Sequence, residues 1–281
     1  TDLLVTTKWL NQHLNDPHIR IVDIRGRVLP ANEPKPHYFA HKDDYLVSHI
    51  PNAMFVDWVH DITDPDSPNA GHIAKPEPFA QLMGNLGIDE HTHVVAYDDF
   101  GGIFAARLWW ALHYYGHEKV SVLDGGWTKW VSEKRPTTAD IPTFAPQFFL
   151  AKPNPELRLT MEQVQDGINA DTVILVDVRT PDEYHGRASR AKRFGHIPTA
   201  SNLPRNNLIS AENTMLPVDE LRLRFAQIGI IGDGMPVGLY CNGGVSASYG
   251  LLAMRVAGFT GGAVFDGSWK EWGNDETKPI A

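Results

Sequence analysis

Cysteine is nearly absent from this chain. Among 281 residues there is one, Cys241. A single cysteine closes no internal disulfide, so the fold does not depend on an oxidising compartment. Long apolar runs are missing as well. No stretch approaches a membrane span and no signal peptide opens the sequence, so no membrane partner is expected and the expected location is the cytoplasm. Positive charge is in deficit, with a formal net charge of −9. The basic residues form no long stripe, which argues against nucleic acid as a partner. Metal-ligand spacing is scarce despite 13 histidines. His37 and His41 stand four apart as on a helix face, beside Pro34 and Pro36, and they read as surface residues. No metal and no organic cofactor is expected. What is present is a soluble globular composition, 42% hydrophobic and 21% charged, on a chain long enough for two ordinary domains.

Short apolar runs alternate with amphipathic ones. Thr6 or Thr7 can cap a first helix carrying Trp9, Leu10 and Leu14. Ile19 to Arg25 reads as a strand ending in Asp-x-Arg. A polar, proline-rich excursion covers 30–36, and an irregular loop covers 61–78 with Pro65, Pro68, Gly71, Pro76 and Pro78. Phe79 to Leu86 predicts a helix. Val94 to Tyr97 is a strand, followed by a glycine turn and a long helix to Tyr115. Val120 to Leu123 is a strand leading to Asp124-Gly125-Gly126-Trp127 and a short helix through Trp130.

The same order then returns. Val173 to Arg179 repeats the Asp-x-Arg strand. Gly195-His196-Ile197-Pro198-Thr199-Ala200 repeats His49-Ile50-Pro51-Asn52-Ala53. Tyr240 repeats Tyr97, and Asp266-Gly267-Ser268-Trp269 with Trp272 repeats the later turn. The offsets shrink from 154 through 147 and 143 to 142, as in a duplication with small loop differences. Two α/β domains follow, each a parallel sheet flanked by helices, over 1–138 and 157–281. A proline-rich linker over 139–156 joins them.

The repeat singles out one asymmetric turn. Pro236 to Tyr240 predicts a buried strand and Val245 to Ala257 a helix, so Cys241 lies on a glycine turn at the strand's C-terminal end, where α/β folds bind ligands. Inward N–H groups and the helix start favour a thiolate, the nucleophilic form. The commoner role of a lone cysteine is a small buried hydrophobe. Opposite Cys241 in the first half stands Asp98, however, so the scaffold is doubled and the nucleophile is not. Shared positions such as Asp23 and Asp177, Pro51 and Pro198, or Trp127 and Trp269 therefore read as structural, and Cys241 as functional.

Taken in order, the Asp-x-Arg strand ends, the Gly-His-Ile-Pro turn, the Asp-Gly-Gly/Ser-Trp turn and a cysteine loop in the second half only resemble the tandem-domain rhodanese and 3-mercaptopyruvate sulfurtransferase family. The resemblance covers nearly the whole chain. It implies that Cys241 takes a sulfane sulfur from a donor as a persulfide and passes it to cyanide or a thiol, with a thioredoxin-like protein as a candidate partner. Amides of Asn242, Gly243, Gly244, Val245, Ser246 and Ala247 would cradle the persulfide, with help from the Ser246 hydroxyl, which could instead cap the helix. Thiosulfate-using members often carry C-R-K-G-V-T and mercaptopyruvate-using members C-G-S-G-V-T. This chain has C-N-G-G-V-S, closer to the second. Yet Glu183 of Glu183-Tyr184-His185-Gly186 stands where the second group has a carboxylate-gripping arginine, and an uncompensated Glu183 would repel any anion. Arg187, Arg190 and Arg193, with Lys192 nearby, are the candidate substrate cations. The expected donor is thiosulfate, with 3-mercaptopyruvate the alternative. Two remoter readings fit less well. A cysteine phosphatase of the C-x5-R type would need arginine where Ala247 stands. A non-catalytic interaction module would have no use for the nucleophile.

Overall fold

The computed structural model describes residues 1–67 and 71–281. Pro68, assigned above to the irregular loop, lies outside the described residues. The first half contains β1 (Leu4–Val5), α1 (Thr7–Gln12), β2 (Ile19–Asp23), β3 (Gly26–Val28), β4 (Tyr38–Ala40), α2 (Lys42–Val47) and β5 (Ala53–Phe55). It continues with α3 (Pro76–Asn85), β6 (His93–Tyr97), α4 (Ile103–Tyr114), β7 (Val120–Leu123) and α5 (Gly126–Ser132). The second half runs β8 (Arg158–Leu159), α6 (Met161–Ala170), β9 (Ile174–Asp177), α7 (Pro181–Tyr184), β10 (Ser201–Asn202) and α8 (Val218–Gln227). It ends with β11 (Val237–Tyr240), α9 (Val245–Val256), β12 (Ala263–Phe265) and α10 (Ser268–Trp272).

Two five-stranded sheets result, ordered β1-β7-β6-β2-β5 and β10-β9-β11-β12-β8. Every pairing within them is parallel. The second order is the first read from the other edge, so the duplication holds in topology. Strand β11 is apolar and buried at every residue, as a parallel strand covered on both faces must be.

The repeated motifs act alike in both halves. Arg25 pairs with Asp23 at 2.9 Å and Arg179 with Asp177 at 2.6 Å, all four buried. Each guanidinium also lies over a tryptophan, 4.3 Å from the Trp127 ring and 4.4 Å from the Trp269 ring. The Tyr97 hydroxyl accepts the Ile50 N–H, and that of Tyr240 the Ile197 N–H. These shared residues hold each strand end to its neighbouring turns.

Three regions differ from expectation. The excursion after Arg25 is the loop of an antiparallel hairpin, β3 with β4. Helix α3 begins at Pro76, because a proline in the first helical turn gives up no needed hydrogen bond. The stretch 139–154 has no helix or strand, but it is fastened to the first half: the Gln147 N–H donates to the Gly84 carbonyl, and Lys152 and Asn154 donate to Tyr115 and Tyr114.

Helices α4 and α9 pack against each other across the two halves. Along α4 every residue except His113 is buried, the mark of a helix covered all round. One continuous apolar core includes residues of both halves, among them Trp110 and Leu252.

Candidate active site

Cys241 leaves β11 and is 5% exposed. Gly244 is the N-cap of α9, with a left-handed φ of 79° that a side chain would strain, and no side chain caps the helix. Ser246 lies inside the first turn, so the capping role is excluded by position. The first-turn amides of Val245, Ser246 and Ala247 have no partner within the helix, as at any helix start. Cys241, Asn242, Gly243 and Ser246 line a cavity of about 950 Å³, and Ala247 is fully buried behind them.

The loop is pinned from α10. Ser268 has a φ of 52°, a left-handed conformation unusual for a serine. Its first-half counterpart, Gly126, has a φ of 51°, and a Cβ there would run into the Asp98 carbonyl. The Ser268 Oγ accepts the N–H groups of Cys241 and Gly244, both at 3.1 Å, and donates to the Phe265 carbonyl at 2.7 Å. Next along α10, the Trp269 and Lys270 N–H groups donate to the Cys241 and Asn242 carbonyls at 2.9 and 3.0 Å.

The first half shows what such a turn binds. The Asp98 carboxylate accepts four backbone N–H groups, from Phe100, Gly102, Phe104 and Ala105, at 2.8 to 3.0 Å. Gly102 caps α4 with a φ of 86°, as Gly244 caps α9. The Trp127 N–H donates to the Asp98 carbonyl as Trp269 does to Cys241. In one half the turn wraps a carboxylate; in the other it carries a sulfur beside an open cavity, and the Gly244 N–H, counterpart of that of Gly102, is taken by Ser268.

The candidate cations do not act together. The Arg193 guanidinium donates to the carbonyls of Trp272, Gly273, Asp275 and Lys278, tying down the C-terminal segment, and Arg193 is not part of the cavity wall. Lys192 is exposed, and its backbone N–H bonds Asn274. Arg187 sits at the rim, bonded to Asp182 at 2.7 Å, with a side chain 59% exposed. Arg190 does line the cavity, but its fork is engaged: Nη2 donates to Leu29 O at 2.6 Å, Nη1 meets His37 Nδ1 at 3.2 Å, and Nε lies 3.6 Å from Glu183. His37 is therefore buried in this contact rather than on the surface, and His41 pairs with Asp99. Glu183 is compensated, contrary to the charge argument above. It accepts from the Thr180 N–H and hydroxyl and from the Asn242 amide. Two cavity cations escaped the sequence reading. Lys270 comes from α10 and Arg205 from the loop after β10. Lys270 follows the Ser-Trp turn, which read as scaffold. Among the described residues the Arg205 guanidinium makes one long hydrogen bond, 3.4 Å to the Phe100 carbonyl, and burial lowers its pKa.

Comparison with known proteins decides the family. The rhodanese-like domain matches twice, over residues 6–133 and 160–275. The chain belongs to the rhodanese-like sulfurtransferases. It is 34% identical over 275 residues to rat thiosulfate sulfurtransferase, covering 96% of this chain and 91% of that one. It is 32% identical over 293 residues to the sulfur carrier protein TtuD of Thermus thermophilus, covering 100% of this chain and 96% of that one. The crystal structure of SseA from Escherichia coli, described as a 3-mercaptopyruvate sulfotransferase, superposes with a TM-score of 0.84 at 31% identity, over 96% of this chain and 99% of that one.

In this tandem sulfurtransferase both halves wall the site. Tyr38, Trp58 and Phe100 of the first half line the cavity together with Cys241 and Lys270 of the second. Behind the cysteine loop, buried Asp266 takes Arg107 of α4 at 2.5 Å, Arg158 at 3.2 Å and the Ile73 N–H at 3.0 Å. Burial alone would raise the Asp266 pKa, but the two guanidinium groups hold it below the ordinary carboxylate value. Arg107 also donates to the Gly71 carbonyl at 2.7 Å. Its other terminal nitrogen lies 2.7 Å from where a Cβ on Gly244 would be.

Proposed function

We propose that this sulfurtransferase takes its sulfur from thiosulfate through a persulfide on Cys241. The supporting observation is the Asp98 turn, where four converging amides wrap a carboxylate. The matching turn at Cys241 is suited to an anionic sulfur in the same place. In the first half-reaction the Cys241 thiolate attacks the outer sulfur of thiosulfate. A Sγ–S bond forms, the donor S–S bond breaks, and its electron pair leaves with sulfite. In the second, cyanide or a thiolate attacks the outer sulfur of the persulfide and frees the Cys241 thiolate. The acceptor could equally be the thiol of a thioredoxin-like protein. The proposed setting is the cytoplasm, in keeping with a chain whose described residues include no helix long and apolar enough to cross a membrane.

Donor choice is argued from the cations. A carboxylate is best gripped by one open arginine fork, and a compact dianion by positive charge in general. The Arg190 fork is engaged, Arg193 is outside the cavity wall, and Arg187 is left at the rim as a screened charge. That arrangement favours thiosulfate. The reading with 3-mercaptopyruvate rests on Arg205, a cavity-lining guanidinium with a long hydrogen bond to the Phe100 carbonyl. The deciding test is kcat/KM for both donors in the wild type, Arg187→Ala, Arg190→Ala, Arg193→Ala and Arg205→Ala. A wild-type preference for mercaptopyruvate of about tenfold, or about 1.4 kcal/mol in the transition state, overturns the thiosulfate reading.

A further inference from the structure

The loop from Asn242 to Ala247 has no basic side chain. A cation reaches the cavity from another turn. Lys270 lines the cavity together with Cys241, and its N–H donates to the Asn242 carbonyl one residue after Trp269 fastens that of Cys241. Those two bonds fix where the side chain begins. Tyr38 of the first half holds its far end, with Nζ 4.0 Å from the ring centroid. Such cation–π contacts gain strength where water is excluded. The repeat again supplies a control. The residue opposite Lys270 in the first half, where there is no cysteine, is Thr128.

We infer that Lys270 is the donor-anchoring cation of this enzyme, supplying from α10 the positive charge that its cysteine loop lacks. Its ammonium holds the sulfonate end of thiosulfate while Cys241 Sγ takes the outer sulfur. As the donor S–S bond breaks, the electron pair and charge gather on the departing sulfite, beside that ammonium. A compact ammonium on a flexible stem suits a tetrahedral anion, for which no planar fork is needed. This inference rests on the thiosulfate reading, yet it concerns a residue which that reading does not require.

The surroundings also make the anchor sensitive to pH. Burial first, then the charges of Arg190 and Lys35, push the Lys270 pKa down to about 8, while Cys241 acts in the opposite direction. Tyr38 faces the amine through its ring, and Glu183 lies beyond Arg190. Below about pH 8 the amine is charged, and above it neutral. Donor capture by the free enzyme, which kcat/KM reports, therefore falls as pH rises through that value.

The experiment compares wild type, Lys270→Met and Lys270→Arg with thiosulfate and with 3-mercaptopyruvate, from about pH 6 to about pH 10. Lys270→Met should lower kcat/KM for thiosulfate at least about tenfold, mainly through KM, and lose the alkaline fall. Lys270→Arg should recover most of the rate and move the fall to higher pH. Circular dichroism and melting establish that each variant folds. If the methionine variant does not fold, the alkaline limb of Lys270→Arg decides alone. Thiosulfate kcat/KM in Lys270→Met within about twofold of wild type, or one unchanged alkaline limb in all folded proteins, overturns the assignment. A wild-type preference for mercaptopyruvate overturns the thiosulfate reading separately, because the Lys270 comparison is a ratio measured with thiosulfate alone.

Discussion

Replacing Cys241 by serine leaves the loop geometry in place and removes the nucleophile, since a serine hydroxyl is essentially never ionised near neutral pH. Cys241→Ser should fold with an unchanged circular dichroism spectrum and transfer no sulfur from either donor. More than a trace of activity in the folded variant would disprove the assignment. Ser268 offers a finer test. Its left-handed φ costs about 1 kcal/mol or more, which Ser268→Gly would relieve. The same change deprives the Cys241 and Gly244 amides of their acceptor, at about 1–3 kcal/mol for each buried group left unpaired. The balance predicts net destabilisation and a lower kcat, and a variant as active as wild type would show that the loop needs no such pin. At this scale the prominence of Cys241 was legible because the repeat lacks it in the first half. The part played by Ser268 was not, because sequence does not print φ. Lys270 was hidden for a different reason: it follows a turn whose tryptophan is shared by both halves, so the turn read as scaffold.

At the scale of the element, the strand-to-helix turn requires Gly244. An added methyl would meet Arg107 at 2.7 Å and Asp266 at 3.0 Å, at a φ of 79°. Gly244→Ala should destabilise the protein by about 2–4 kcal/mol and lower activity further than stability alone explains, because the loop must move away from Arg107. Thermal melting and rates measured well below the melting point separate the two effects. Strands β2, β6, β7, β9 and β11 and helices α4 and α9 were readable from apolar runs bounded by glycine and proline, while β1, β5, β8, β10 and β12, of two or three residues each, were not. The β3–β4 hairpin was not, because three-residue strands among prolines carry no usable period. This omission affected the site, since the hairpin brings Tyr38 and His37 to Arg190. The charge argument at Glu183 failed for a related reason. Its partners Thr180, Arg190 and Asn242 converge only in the fold, and Asn242 is 59 residues away in sequence.

At the scale of the whole molecule, Asp266 joins the halves through Arg107 and the Ile73 N–H. The folded-state pKa of Asp266 lies below its unfolded value, so its ionised form stabilises the fold at pH above the ordinary carboxylate range. That contribution is lost as acid takes the pH down through the folded value. Asp266→Asn leaves buried Arg107 and half-buried Arg158 without their anion and should cost about 3–5 kcal/mol near neutral pH. The difference in melting temperature from wild type should shrink towards pH ~3, as protonation removes the wild-type advantage. A difference independent of pH would mean that the carboxylate acts by shape alone. Duplication was the most legible property of the chain at this scale, and the shared core of α4 and α9 the least, because both helices are apolar all round and neither sequence names its partner. The Asp98 turn carries one further consequence, in stoichiometry. Its amides are permanently occupied by a carboxylate of their own chain, so the second copy of the nest has no vacancy for sulfur. Loaded to completion with donor and then treated with cyanide, each chain should release one thiocyanate, and its capacity is a single atom.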